Sequence, residues 1–429
     1  MRSVSSLEPA ASPTHRPPPA WLLGIVAMPY GSFNGVVAVG LPYLLRKQGI
    51  SVDRIAAIAA LVQAPAIWYV LWAPVVDIKF RRRTWIVALS VLSGVATAMA
   101  LHLAEGGSIR LASGIFVFAS VFNQPVSSAV GGLVAAVMPG ASRGSAAGAT
   151  QGGILGAGVA AGGLAVLLSD HSSIAVDAIV VGLLIVLPSL AALFVHEPRR
   201  AERNRRAHIT RMVAEIKMAV RQRNLWLGML LFLSPCGAGA LMNLFSGVAI
   251  DYHASANIVI VVVVLAGLLT AAGALVGGRL LDRIDRWRSY PIAGLVTSIV
   301  VMIMLFAPVR PATYIAGAAA YAIATGFGYA AFMALALDLV GGEAAAGSTL
   351  FTLLTAALNI PVVYMIRLDG LGHARFGVRG MLAADGLANL VSAILLLVVL
   401  RIVSPSRDEP GVLAGESVAS AGPSPARSL

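Results

Sequence analysis

The chain has 429 residues, 58% hydrophobic and only 12% charged, with a mean hydropathy of +0.85 and a net charge of +12. A soluble domain carries about 25% charged residues, and water could not hold this much apolar surface around one compact core. A bilayer could, because each spanning helix needs about 20 mostly apolar residues. The composition therefore argues against a soluble enzyme or a nucleic-acid binder, and the basic excess is first a question of membrane topology. A single cysteine, Cys236, excludes an internal disulfide and gives no metal cluster.

In chain order, residues 1–20 are rich in Ser, Pro and Ala, without the apolar core of a signal peptide, and read as a disordered tail. Twelve apolar segments of spanning length follow, at about 21–45, 55–77, 84–104, 110–137, 145–169, 173–195, 225–250, 256–280, 290–308, 312–339, 345–366 and 380–402. The expected fold is an all-α membrane protein of twelve transmembrane helices in two six-helix halves, 21–195 and 225–402. Between the halves, 196–224 is hydrophilic. Ile209, Met212, Val213, Ile216 and Val220 share one helical face there, as in an amphipathic helix lying on the membrane surface. Residues 403–429 read as a second disordered tail. With both termini inside, 23 of the 31 basic residues fall on the inner side, which favours that orientation, in a bacterial inner membrane, with both tails cytoplasmic.

Polar groups inside the spans mark a candidate substrate cavity, because unpaired polarity facing lipid costs several kcal/mol. They are Tyr30 and Asn34 in the first span; Gln63, Trp68 and Tyr69 in the second; Asn123 and Gln124 in the fourth; Gln151 in the fifth. The second half adds Asn243, Tyr329, Asn359 and Tyr364. Each could equally bond a neighbouring helix without meeting a solute. The glycine run GGILGAGVAAGG (152–163) lacks the Lys-Ser/Thr ending of a phosphate loop, so it points to close helix packing rather than ATP hydrolysis.

One corner occurs twice. WAPVVDIKFRRR (72–83) and GRLLDRIDRWR (278–288) place Asp77 and Asp282, Arg81 and Arg286, and Arg83 and Arg288 at a constant offset of 205 residues, each after the second span of its half. With Arg82 and Arg283, these form a candidate conformational latch, in which an acid at a helix end and following arginines bond neighbouring helix ends in one conformation. The alternative is mutual neutralisation by topology anchors. Asp338 and Asp385 are candidate coupling residues for a proton, or else structural pairing partners.

The corner resembles the inner-loop signature of the major facilitator superfamily, with Gly278, Asp282, Arg283, Arg286 and Arg288 in place; the first copy departs at Ala73 and Phe80, where glycines are usual. LWAPVVD (71–77) and STLFTLLTAALNIPVVYMIRLDG (348–370) resemble the muropeptide permeases of the AmpG type and the related acetyl-CoA transporters. The resemblance implies the major facilitator fold and a secondary active transporter working by alternating access. It also implies proton-coupled import of muropeptide-like fragments, with export or import of a CoA ester, drug or metabolite as the alternative. The implied partners are the lipid bilayer and a small organic solute, with no nucleic acid, no cofactor, a proton gradient as candidate driving force, and a monomeric chain. The competing classes are a membrane-embedded enzyme, for which no converging acid, His or metal constellation is seen, and a non-transporting signalling protein.

Overall fold

The computed structural model describes residues 17–68, 81–138, 143–197, 217, 221–281, 284–340 and 347–403. Among them the chain is helical, without strands. The first half comprises α1 (Ala20–Lys47), α2 (Val52–Gln63, continued by a 3-10 turn to Ile67), α3 (Arg82–Glu105), α4 (Ile109–Val137), α5 (Arg143–His171) and α6 (Ile174–Ser189). The second comprises α7, beginning at Arg223–Phe232, α8 (Ala256–Leu281), α9 (Arg286–Phe306), α10 (Pro311–Val340), α11 (347–375) and α12 (378–402).

Nine described helical stretches are long and apolar enough to cross a membrane, and one of them holds both α11 and α12. The other two spans are α2, whose second part lies outside the described residues, and α7, which is broken. The expected linker helix over 196–224 also lies largely outside the described residues.

Two sequence expectations are corrected. The span 225–250 is not one helix: α7 stops at Phe232, and the chain resumes as short turns at Ala240–Asn243, Phe245–Val248 and Ala249–Tyr252. Pro235 cannot donate to a helical ladder, and Gly237 and Gly239 sit at φ 70° and 65°, which glycine adopts without steric cost. The stretch LDGLGHARFGVRG (368–380), which the expected spans 345–366 and 380–402 leave as a connection, is instead helical apart from a reversal at Phe376 and Gly377, the latter at φ 61°.

Small residues let the helices meet backbone to backbone. A Cβ on Gly31 or Gly35 of α1 would overlap the carbonyl oxygen of Ile154 or Gly158 on α5, and one on Gly273 of α8 would overlap that of Ile323 on α10. Within the 152–163 run, Gly153, Gly158 and Gly162 make the expected close packing on α1, while Gly152 and Gly156 meet nothing within 4 Å. Across the two halves, α2 packs on α11 and α5 packs on α8. A six-helix repeat related by a two-fold axis produces this pairing, since α2 corresponds to α8 and α5 to α11.

The apolar cores define the state of the molecule. At the end remote from the chain termini, one cluster joins both halves, from Phe33, Leu41 and Phe116 to Leu244, Tyr314 and Met381. At the termini end, each half keeps its own cluster, around Leu23, Ile86 and Leu133 in one and Phe232, Leu335 and Leu354 in the other. Among the described residues, the halves share one core at the remote end and keep separate cores at the other.

Candidate functional site

Between the halves lies a cavity of about 380 Å³. Tyr30 and Asn34 reach it from one face of α1, one turn apart. Gln63 comes from α2, Gln124 from α4, Asn243 from the α7 break, Thr270 from α8, and Asn359 from α11. From α10 come Tyr314, Ala318, Thr325 and Tyr329, whose spacings of 4, 7 and 4 put them on one helical face. Tyr329 is 44% exposed despite its depth, as expected of a side chain open to the cavity. The other described lining residues are small or apolar, and among the described residues no Asp, Glu, Lys, Arg or His lines the cavity.

Among the described residues, three hydrogen bonds join the halves at the cavity, the shortest from Ser246 Oγ to the Val39 carbonyl at 2.8 Å. Gln63 Nε2 donates to Asn243 Oδ1 at 3.3 Å, and Asn359 Nδ2 donates to the Ala66 carbonyl at 3.4 Å. Asn34 Nδ2 donates to the Tyr30 carbonyl at 2.8 Å, and Asn123 Nδ2 reaches the same oxygen at 3.5 Å. Gln124 lines the cavity, and its Nε2 is buried without a hydrogen-bond partner.

The irregular wall of the cavity is held by tyrosines. Tyr364 Oη donates to the Leu233 carbonyl at 3.0 Å, where α7 fails. Tyr321 Oη accepts from Leu241 N–H at 3.3 Å, and Tyr314 Oη donates to the Phe245 carbonyl at 3.1 Å. Non-helical backbone at membrane depth is tolerated only where other groups satisfy it or where it lines a cavity. Both conditions hold here.

The remote end is closed by charge as well as packing. Arg46, at the end of α1, pairs with Asp251 of the second half at 2.6 Å, with side chains 21% and 22% exposed. His373 of α11 sits 3.0 Å from the other Asp251 oxygen. Arg367 Nη1 donates to the Asp53 carbonyl at 3.1 Å, again between halves. Burial pushes the Asp251 carboxyl up, but the His373 hydrogen bond and the Arg46 charge outweigh it and hold the group below the usual aspartate range.

A family model described as the Major Facilitator Superfamily matches residues 23–360 and, in a second match, 237–427. The chain belongs to the Major Facilitator Superfamily. Solved structures agree on the fold of this facilitator. A D-xylose-proton symporter superposes with TM-score 0.69 at 15% identity, over 88% of this chain and 96% of its own. The xylose transporter XylE from E. coli, in an inward-open conformation, gives 0.66 at 14% identity over 91% and 97%. A bacterial homolog of the human lysosomal transporter Spinster, inward-facing and unoccupied, gives 0.62 at 14% over 89% and 94%. No curated protein matches the chain significantly. The protein is thus a membrane transporter of the secondary kind and not an enzyme.

Of the residues singled out in the facilitator's sequence, Tyr30, Asn34, Gln63, Gln124, Asn243, Tyr329 and Asn359 line the cavity. Asn123 does not; it is buried behind Tyr30. Tyr364 serves the α7 break, Gln151 is exposed elsewhere on α5, and Trp68 is 57% exposed outside the cavity lining, at the end of the α2 turn. Tyr69 lies outside the described residues. Sequence reasoning missed Ser246, Thr270, Tyr314 and Thr325, although the spacing along α10 was a usable signal.

Of the repeated corner, Asp77, Asp282 and Arg283 lie outside the described residues. Arg81 precedes α3, and Arg82 and Arg83 open it, their backbone N–H groups facing the Glu197 carboxylate at 3.2 and 3.4 Å. Glu197, unflagged in the sequence, thus supplies negative charge at a helix N-terminus. In the second half Asp285 does this locally, accepting from Trp287 N–H at 2.9 Å, with Arg286 and Arg288 following. Asp338 is paired with Arg286 at an exposed site. This places it with the corner, at a helix end, rather than with a coupling site inside the bilayer. Asp385, by contrast, is buried.

Proposed function

We propose that this facilitator carries an uncharged organic solute, rich in hydrogen-bonding groups, across a bacterial inner membrane by alternating access. The observation that carries the proposal is the described cavity lining: amides, hydroxyls and aromatic rings, with no charged residue among the described residues. A solute with a full charge, entering a low-dielectric site without a counter-charge, is penalised by several kcal/mol. A muropeptide brings carboxylates and a CoA ester brings phosphates. The lining therefore supports a neutral polyol or sugar-like solute over the muropeptide import suggested by the resemblance of 71–77 and 348–370. The structural neighbour described as a D-xylose-proton symporter moves a solute of this neutral kind.

In this reading both termini are cytoplasmic, the remote end is the outer face, and the welded remote core marks the state open toward the cytoplasm. The protein works as a monomer, since the cavity is formed by one chain.

The test is uptake into proteoliposomes of labelled neutral sugars and polyols beside an anhydromuropeptide and a CoA ester. Neutral solutes should be taken up and compete with one another. Asn359→Leu should lower their flux by about tenfold or more, the cost of losing a hydrogen bond worth 1–2 kcal/mol. Uptake of the charged pair alone would overturn the proposal.

A further inference from the structure

A groove of about 640 Å³ runs between α9 and α12, apart from the central cavity. Ile299, Ile303 and Phe306 line it from α9, at spacings of 4 and 3 that keep them on one helical face. All three are exposed, Phe306 at 83%. Leu390 lines it from α12. The helices meet closely beneath it. A Cβ on Gly386 would overlap the terminal methyl of Met302, and Ser298 Oγ donates to the Gly386 carbonyl at 2.8 Å, so this lining hydroxyl is already satisfied.

The groove is about one leaflet deep. From Arg286 to Phe306, α9 rises about 30 Å, the thickness of a bilayer's hydrocarbon core. The lining from Ile299 to Ala307 covers about 12 Å of that rise, and Leu390 lies about 16 Å along α12 from Arg379. Its mouth, at Phe306 and Ala307, is therefore at the remote membrane surface and its inner end near the midplane.

Two arginines stand at that mouth. Arg310 follows Ala307 by three residues, in the turn before α10. Arg379 opens α12, and eleven residues of helix bring it back to within about 20° of the face that carries Leu390. The two helices run in opposite directions, with Ser298 level with Gly386. Eight residues along α9 to Phe306 and seven back along α12 to Arg379 thus reach a similar depth. Both arginines are exposed, and among the described residues no carboxylate pairs with either. Asp385, the nearest acid along α12, is buried.

Chemistry selects the occupant. An acyl chain matches an apolar slot one leaflet deep, and a phosphate matches two unpaired guanidinium groups at headgroup level. A second copy of this chain fits less well, because a two-fold contact through this face sets one arginine pair against the other. A net-negative headgroup is favoured over one that brings its own ammonium.

We propose that the α9–α12 groove binds one anionic phospholipid, with an acyl chain along Ile299, Ile303 and Leu390 and its phosphate between Arg310 and Arg379. The site depends on the membrane placement of the chain and not on which solute the cavity carries.

The test is native mass spectrometry of the full chain in detergent, titrated with phosphatidylglycerol, phosphatidylethanolamine, diacylglycerol or glycerol phosphate. Phosphatidylglycerol should add one equivalent most tightly. Arg310→Gln and Arg379→Gln should each weaken it about fivefold, the worth of one cation near a membrane surface, and diacylglycerol should bind about twentyfold more weakly, the worth of two. Ala307→Phe, which fills the mouth, should also weaken it, while Arg110→Gln, an exposed arginine opening α4, should change nothing. Equal affinity for phosphatidylethanolamine or diacylglycerol overturns the anionic headgroup contact, and equal affinity for glycerol phosphate reduces the site to a free-anion site. Unchanged affinity in both arginine variants places the lipid elsewhere, and a dimer that Ala307→Phe abolishes gives the groove to a second copy; either result overturns the proposal. The two arginines are exposed, so their variants decide the matter even if Ala307→Phe fails to fold.

Discussion

Replacing Gly35 with valine should abolish the folded protein. A Cβ at this position would overlap the Gly158 carbonyl oxygen, and a backbone atom in the middle of a packed helix cannot move aside. Forcing α1 and α5 apart breaks the contact that organises the first half. Overpacking of a tight site typically costs about 1–3 kcal/mol and more where nothing can yield, so about 3 kcal/mol or more is expected here. Thermal unfolding of the detergent-solubilised protein, followed by size-exclusion chromatography, should show loss of the monodisperse peak. Gly131→Ala is the control: its Cβ meets nothing within 4 Å, and alanine is the better helix former by about 1 kcal/mol. Equal behaviour of the two variants would mean that the α1–α5 approach is not as close as described.

Removing the Arg46 side chain should open the remote end. Arg46→Ala leaves the Asp251 carboxylate, only 22% exposed, facing His373 without its guanidinium partner. Loss of one member of a fully buried pair costs about 3–5 kcal/mol; with this exposure, about 1.4 kcal/mol is a reasonable share, equivalent to a tenfold population shift. The pH dependence follows from the sign of the Asp251 shift. Its carboxyl is held below the usual value in the closed state, so the latch is fully present above the ordinary aspartate range. It weakens only as pH falls through the depressed value, below about 4. Acidification from pH 8 to 5 should therefore leave the Asp251 latch engaged in the wild type. Spin labels at Arg54 and Arg375, both exposed at the remote end, report the opening as a longer distance. An unchanged distance distribution in Arg46→Ala would show that packing alone closes this end.

Much of the architecture is legible in the sequence because a bilayer imposes it. Apolar runs of fixed length mark the spans, and the basic residues around Arg82 and Arg286 mark one end of them. The break in α7 is hidden because Pro235, Gly237 and Gly239 sit in a run that spanning helices often tolerate. It becomes visible only once Tyr314, Tyr321 and Tyr364 are seen repairing the freed backbone. Polarity in a span gives depth but not rotation. Gln63 and Asn359 therefore face the cavity as expected, while Trp68 and Gln151, equally polar at similar depth, do not. Arg46, Asp251 and His373 come from three distant segments, and the sequence contains no sign that they meet. The reverse holds for α10: Tyr314, Ala318, Thr325 and Tyr329 share one helical face, a pattern the sequence already contains.

In the proposed alternating-access cycle, two halves that share one core at the remote end and keep separate cores at the other exchange these roles. Pulsed electron resonance on the reconstituted protein tests this with two label pairs: Arg54 with Arg375 at the remote end, and Ala136 with Arg401 at the termini end. Buried Cys236 leaves the introduced cysteines as the labelled ones. Each pair should show two distance populations, with the short remote distance coupled to the long termini-end distance, and a transported solute or Arg46→Ala should shift both in opposite directions. A single fixed distance at each end, indifferent to solute and to Arg46→Ala, would contradict alternating access in this protein.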